Sequence, residues 1–172
     1  MATCNIIEGY VLDCKQGAGG LATIYFTEFA NVPQANITSA SGTVTALSCS
    51  GGKKFYAFQL RPETAEYKES WKNDLKNGTV YYEQTVSLNI YKLTAKNRNI
   101  ISNLNQNRLM CIVTTVNGES FVLGQTRGMD MTVVEGQSGN AMGDMNGSVL
   151  TLVAKEIDAA STISSAIIST LT

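Results

Sequence analysis

The chain has 172 residues, which is enough for one domain or one domain with arms. Apolar residues make up 44% and charged ones only 16%, against a usual ~25% charged; this composition excludes a disordered chain and leaves part of the surface to be covered by something other than water, such as sister subunits. Its 13 Lys and Arg nearly balance 14 Asp and Glu, no basic run occurs, and there is no histidine. A nucleic-acid or anionic-membrane binder is therefore disfavoured, and the commonest general base and zinc nitrogen ligand are missing.

The first stretch, MATCNIIEGYVLDCKQG, has early acidic residues and no apolar run of signal-peptide length. No other stretch approaches the ~20 apolar residues of a membrane span. The expectation is a chain that folds in a cytoplasm, without a membrane, where Cys4, Cys14, Cys49 and Cys111 stay reduced. Cys4 and Cys14 flank NIIEGYVLD and would pair only on oxidation. The glycines of KQGAGGLA lack both the Lys-Ser/Thr of a P-loop and the spacing of a dinucleotide fingerprint, so they read as a turn or bulge.

β-Branched and aromatic runs broken by Gly and Asn dominate the rest. The predicted strands are Ala22–Phe29, part of Ile37–Leu47, Lys54–Leu60, Thr64–Asn73, Val80–Leu93, Arg108–Val116, Ser120–Gln125, Met129–Glu135 and Ser148–Glu156. Thr94 can cap one helix of at most three turns over AKNRNIISNLNQN, with Ile100, Ile101 and Leu104 on one side. After Glu156 the segment IDAASTISSAIISTLT changes character. Asp158 could cap a short helix lined by Ile163, Ile167 and Leu171, and the segment reads equally as a frayed end or as an arm that docks on a neighbour.

Two Asn-Gly pairs predict hairpins. A two-residue turn of type I′ at Asn77-Gly78 would put Lys76 opposite Thr79 and Lys72 opposite Glu83. One face of that ribbon then carries Glu66, Lys68, Ser70, Lys72, Asp74, Tyr81, Glu83, Thr85, Ser87 and Asn89, nearly all polar. The other carries Ala65, Tyr67, Glu69, Trp71, Asn73, Tyr82, Gln84, Val86, Leu88 and Ile90. A one-residue slip would mix the faces, and the polar face runs for roughly 30 Å. The second pair, Asn117-Gly118, would place Ile112 opposite Leu123 and Val113 opposite Val122. Both faces of this hairpin are apolar, so it belongs in the core.

Chemistry-bearing motifs are sparse. GDMNGS resembles part of a calcium loop, but its glycine and the twelfth-position residue do not fit, and a turn is the better reading. Asn36-Ile-Thr38, Asn77-Gly-Thr79 and Asn146-Gly-Ser148 match the glycosylation pattern without a secretory signal, and are read as turn and strand residues. Glu63 and Glu66 read as solvated strand charges, and Cys111, inside an apolar strand, as a small core residue. The expectation is no enzyme, with no catalytic residue, cofactor or metal.

The order of strands, the long NGT…YEQ hairpin, KL-T into a short helix, then RLMCIVTTVNGESFVLG and GNAMGDMNGSVLTLVAKE, is similar to the tail tube proteins of tailed bacteriophages, particularly those of phages of Bacteroidota. The opening C…DCKQGAGGLATIYF resembles that group too, and the likeness covers residues 4 to 156. It implies a mainly β fold: a β-sandwich or barrel of tail tube type with one short α-helix, a long hairpin and a C-terminal arm. The domain would be 1–156, with 157–172 an extension able to reach another subunit. The resemblance further implies a virion structural protein assembled in the host bacterial cytoplasm. Its rings, commonly hexamers, stack into the viral tail, and DNA is a partner only in transit during ejection. On that reading Glu66, Lys68, Ser70, Lys72, Glu83, Thr85, Ser87 and Asn89 face the channel; the alternative has the polar face pointing outward. Other tail or connector proteins would be partners. A head–tail connector or tail ring protein of a short-tailed phage is the runner-up. A β-sandwich glycan- or receptor-binding module, using Trp71, Tyr81 and Tyr82, is the reading from another class.

Overall fold

The computed structural model describes residues 9–10 and 17–172, so the expectations for Cys4 and Cys14 lie outside the described residues. The chain is mainly β, with strands β1 (Leu21–Glu28), β2 (Ile37–Ala40), β3 (Thr43–Leu47), β4 (Tyr56–Gln59), β5 (Ala65–Asp74), β6 (Thr79–Tyr91), β7 (Leu109–Thr115), β8 (Ser120–Leu123), β9 (Asp130–Gln137), β10 (Gly147–Glu156) and β11 (Ser161–Ile163). Helix α1 (Ala95–Gln106) and helix α2 (Ser165–Leu171) complete it. Seven strands form one sheet in the order β2-β3-β11-β8-β7-β1-β4, and four form the other, β5-β6-β10-β9. Neither closes into a barrel among the described residues, so of the sandwich or barrel expected, the arrangement is two open sheets.

β7 shows why the seven-stranded sheet sits at the centre. Its run Leu109-Met110-Cys111-Ile112-Val113 is apolar at every position, and all five residues are buried, so both faces need cover. One face packs on the four-stranded sheet. Ile24, Phe26, Leu109, Cys111, Val113 and Leu123 meet Val86, Leu88, Leu150 and Leu152 there. On the other face Met110, Ile112 and Val122 pack with Val44, Phe55, Ile168 and Leu171.

That second core needs the C-terminal residues. β11 inserts between β3 and β8, parallel to β3 and antiparallel to β8, and the Phe55 N–H donates to the Leu171 carbonyl (2.8 Å). Residues 157–172, expected as an extension, thus supply a strand and a helix to the same sandwich. Ile163 lies on β11 rather than on the expected helix, which begins after Ser164 and not after Asp158. The β-branched Thr162 and Ile163 pair with Thr43 and Val44, and strand pairing takes this stretch before a helix can start.

α1 forms as its sequence dictates. The Thr94 hydroxyl accepts from the Asn97 N–H (3.2 Å), and the Asn97 amide donates to the carbonyls of Tyr91 and Lys92. Ile101 and Leu104 face the inter-sheet core.

Both Asn-Gly loops differ from expectation. A type I′ turn needs positive φ at two central residues, yet Gly78 (62°) and Gly118 (92°) are positive while their asparagines are not. In the long hairpin Asp74 pairs with Thr79, leaving a loop of residues 75–78. The Asp74 carboxylate accepts from the N–H groups of Lys76 (2.9 Å) and Asn77 (3.3 Å) and from the Asn77 amide, which favours this wider turn. The register moves by two residues. Lys72 consequently sits opposite Tyr81, and Glu83 opposite Ser70, instead of opposite each other. In the second hairpin Ile112 pairs with Val122, Cys111 with Leu123 and Val113 with Phe121, one residue away from the expected pairing. The two-residue turn with both φ positive occurs at Ser41-Gly42 (51° and 77°), between β2 and β3.

Candidate functional site

A two-residue shift leaves every side chain on its original face, because strand side chains alternate with period two. All eight residues expected to line a channel therefore share one face of the four-stranded sheet. Glu66, Lys68, Ser70 and Lys72 come from β5, and Glu83, Thr85, Ser87 and Asn89 from β6. The opposite face supplies Tyr67, Val86 and Leu88 to the core. Pairing then carries the polar face across the sheet. Asn89, Ser87, Thr85 and Glu83 stand opposite Val149, Thr151, Val153 and Lys155 of β10, and beyond these lie Glu135 and Val133 of β9.

Sequence reasoning missed the β10 and β9 part of this face, since it comes from strands far along the chain. The available signal was the alternation in Ser148-Val-Leu-Thr-Leu-Val-Ala-Lys155, which separates the core residues Leu150, Leu152 and Ala154 from Val149, Thr151, Val153 and Lys155. The completed face leans acidic, with Lys68, Lys72 and Lys155 against Glu66, Asp74, Glu83, Asp130 and Glu135, of which Asp130 pairs with Arg108. Small hydroxyls fill its middle, and the Ser87 and Thr151 hydroxyls lie 3.4 Å apart across β6 and β10.

Two features make this sheet suited to assembly. Among the described residues β5 and β9 each have a neighbour on one side only, so both edges present unpaired backbone groups. The hairpin also projects. β10 stops pairing with β6 at Tyr82, so Thr79–Tyr81 and their partners Lys72–Asp74 stand beyond the body of the sheet. This tip carries exposed apolar side chains, Trp71 (72%), Leu75 (89%) and Val80 (55%). Trp71 packs edge-on against Tyr82, with ring centroids 5.6 Å apart. Tyr81 sits on the opposite face with Lys72, so the three aromatics do not form one platform.

Titratable groups elsewhere are arranged for structure. Burial pushes the thiols of Cys49 and Cys111 up, which keeps them protonated and poor nucleophiles. Burial, then the neighbouring Glu69 carboxylate, raises the Tyr67 phenol. The Asp144 carboxylate accepts from the N–H groups of Asn140 and Ala141 and ties the β9–β10 loop, within the stretch that resembles part of a calcium loop. Among the described residues no three His, Cys, Asp or Glu side chains gather to hold a metal. A cleft of about 990 Å³ lies between β4 and α1. Phe58, Leu60 and Ile90 are among its apolar lining, Lys53, Lys92 and Lys96 also line it, and the Arg61 guanidinium lies 4.3 Å above the Tyr91 ring.

Set against known protein families, curated proteins and solved structures, the chain has no match in any of the three comparisons.

Proposed function

We propose that the chain is a virion structural protein, a phage tail tube subunit whose four-stranded sheets join edge to edge into the wall of a DNA-ejection channel. One observation carries this reading: a sheet with a polar face without net positive charge that the described residues leave uncovered, and, among those residues, an unpaired strand at each side. Pairing β5 of one copy with β9 of the next is a heterologous contact that removes both edges once the ring closes. With strands ~4.8 Å apart and tilted by ~40°, six such sheets give a backbone diameter of roughly 45–50 Å, which admits a duplex after the side chains are added. Carboxylates outnumber lysines on the lining, so it holds no net attraction for phosphate and DNA slides past without a salt-dependent grip. The dry face stays on the sandwich core.

Paired cysteines test the contact. Lys68→Cys on β5 is combined in turn with Val133→Cys and Glu135→Cys on β9, and the chains are oxidised at assembling concentration. A disulfide ladder that stops at the ring number is expected. Folded chains that form no intermolecular bond at any of these pairs would sink the proposal. The ring number itself separates a hexameric tube from a larger connector ring.

A further inference from the structure

Where β10 hands over to β11, Glu156 and Asp158 border one hollow, and the Glu69 carboxylate binds the backbone of the same handover at Ala160. Glu156 ends β10 and is 3% exposed. Its Oε1 accepts from the N–H groups of Thr126 (3.1 Å) and Arg127 (2.9 Å), which clamps the β8–β9 loop. Its Oε2 is equally buried and has no hydrogen-bond partner. Gln84, 2% exposed, is engaged elsewhere and makes no bond to it: the Gln84 carbonyl accepts from the Gly124 N–H (3.0 Å) and its amide donates to Glu69 Oε1 (3.3 Å). That same Glu69 oxygen accepts from the Ala160 N–H (2.8 Å). Asp158, on the exposed segment between the strands, lines with Glu156 a hollow of about 280 Å³. Gln125, Thr126, Ser39 and Ser161 line it as well.

A buried carboxylate oxygen without a partner is costly, and so is a concentration of negative charge without a counter-ion. Both conditions meet here. Among the described residues the one ion pair is Arg108–Asp130, so no Lys or Arg nitrogen comes within 4.0 Å of Glu69, Glu156 or Asp158. The nearest cations in sequence, Arg127 and Lys155, are exposed. A water molecule would answer the hydrogen-bond need of Oε2 and leave the charge uncompensated; a cation answers both.

We infer that this hollow is a site for a hard divalent cation of the calcium class, held by Glu156 and Asp158. The other available donors are side-chain oxygens of Gln125, Ser39 and Ser161, backbone carbonyls and water, a set without sulfur or imidazole that suits calcium and not zinc. Two carboxylates are few, which places the Kd at about 10⁻⁴–10⁻³ M, the range of weakly charged calcium modules. An ion here ties the strand that leads into β11 to the β8–β9 loop, and so braces the C-terminal segment whose Ile168 and Leu171 cover the second core. This inference stands apart from the ring reading and holds for a single chain.

Terbium luminescence on the full chain reads the site, since Tyr82 pairs with Glu156 across β6 and β10 and serves as sensitiser. The expected result is saturable emission from one equivalent that calcium displaces, and a Tm raised by roughly 3–6 °C at a twentyfold excess of calcium over Kd. Glu156→Gln keeps one oxygen for the two loop N–H groups and replaces the orphan oxygen with a donor, so affinity falls at least about tenfold with the fold retained. Asp158→Asn, on an exposed residue, weakens binding by a smaller factor and covers the case in which the first variant unfolds. Emission and Tm that do not respond to calcium up to about 10 mM, well above the expected Kd, overturn the inference. So does terbium binding that is equal in the wild type and in both variants, because the ion would then sit elsewhere.

Discussion

β5–β6 and β7–β8 are both antiparallel hairpins with an Asn-Gly at the turn, and they serve opposite ends. β7–β8 is covered on both faces: Cys111, Val113 and Leu123 look into the inter-sheet core, and Met110, Ile112 and Val122 look into the second core. β5–β6 is covered on one face, keeps its polar face open, and carries its tip past the body of the sheet. The first hairpin is built for stability, and its sequence would be replaceable by any apolar set of the same volume. The second spends little of its length on the core. Its alternation of wet and dry residues is that of a sheet with one solvated face, and under the proposed ring that face lines the channel.

Substitutions sharpen this contrast by size of effect. Leu123→Ala, at a fully buried position of the core hairpin, is expected to cost about 2–5 kcal/mol in urea unfolding. A cost below about 1 kcal/mol would mean that the two sheets do not pack as described. Thr85→Ala or Ser87→Ala on the open face is expected to change the stability of the unassembled chain by no more than about 0.5 kcal/mol. A large loss there in a monomeric sample would show that this face is covered within the chain, contrary to the account.

The smallest expected effect concerns the tip. Hydrogen bonds from Asn77 and Lys76 hold the Asp74 carboxyl below its ordinary 3.8. A folded pKa below the unfolded value means that the stabilisation is complete above the unfolded value and fades as pH falls through the folded one. The Lys76 and Asn77 amide resonances should therefore be unchanged from neutral pH down to the ordinary aspartate range, and shift only below it. A midpoint above 3.8 would contradict the turn geometry.

The face assignments were legible because alternation in the long hairpin survives any even shift in register. The turns themselves were not. Asn-Gly favours a two-residue loop as an isolated dipeptide, but Asp74 supplies three acceptor contacts that draw the chain into a wider one. At the second turn the Asn117 side chain accepts from the Ala18 N–H (2.9 Å), a contact 99 residues away that no local pattern announces. Register in β7–β8 was equally hidden, since apolar residues fill both faces and neighbouring alignments look alike. The same limit applies to β11, whose partner Thr43 lies 119 residues before Thr162. Glu156 enters the sequence reading only as the end of a strand; only the fold shows that it is buried against the β8–β9 loop.

The most direct test of the edge-to-edge sheet is electron microscopy of the purified wild-type chain across a concentration series, with its mass in solution measured on the same samples. The account predicts rings, or striated tubes of stacked rings, with a central hole walled by the four-stranded sheets and the Glu66 to Asn89 polar face turned inward. A monodisperse monomer at every concentration, or rings whose hole is walled by the seven-stranded sheet, would contradict it.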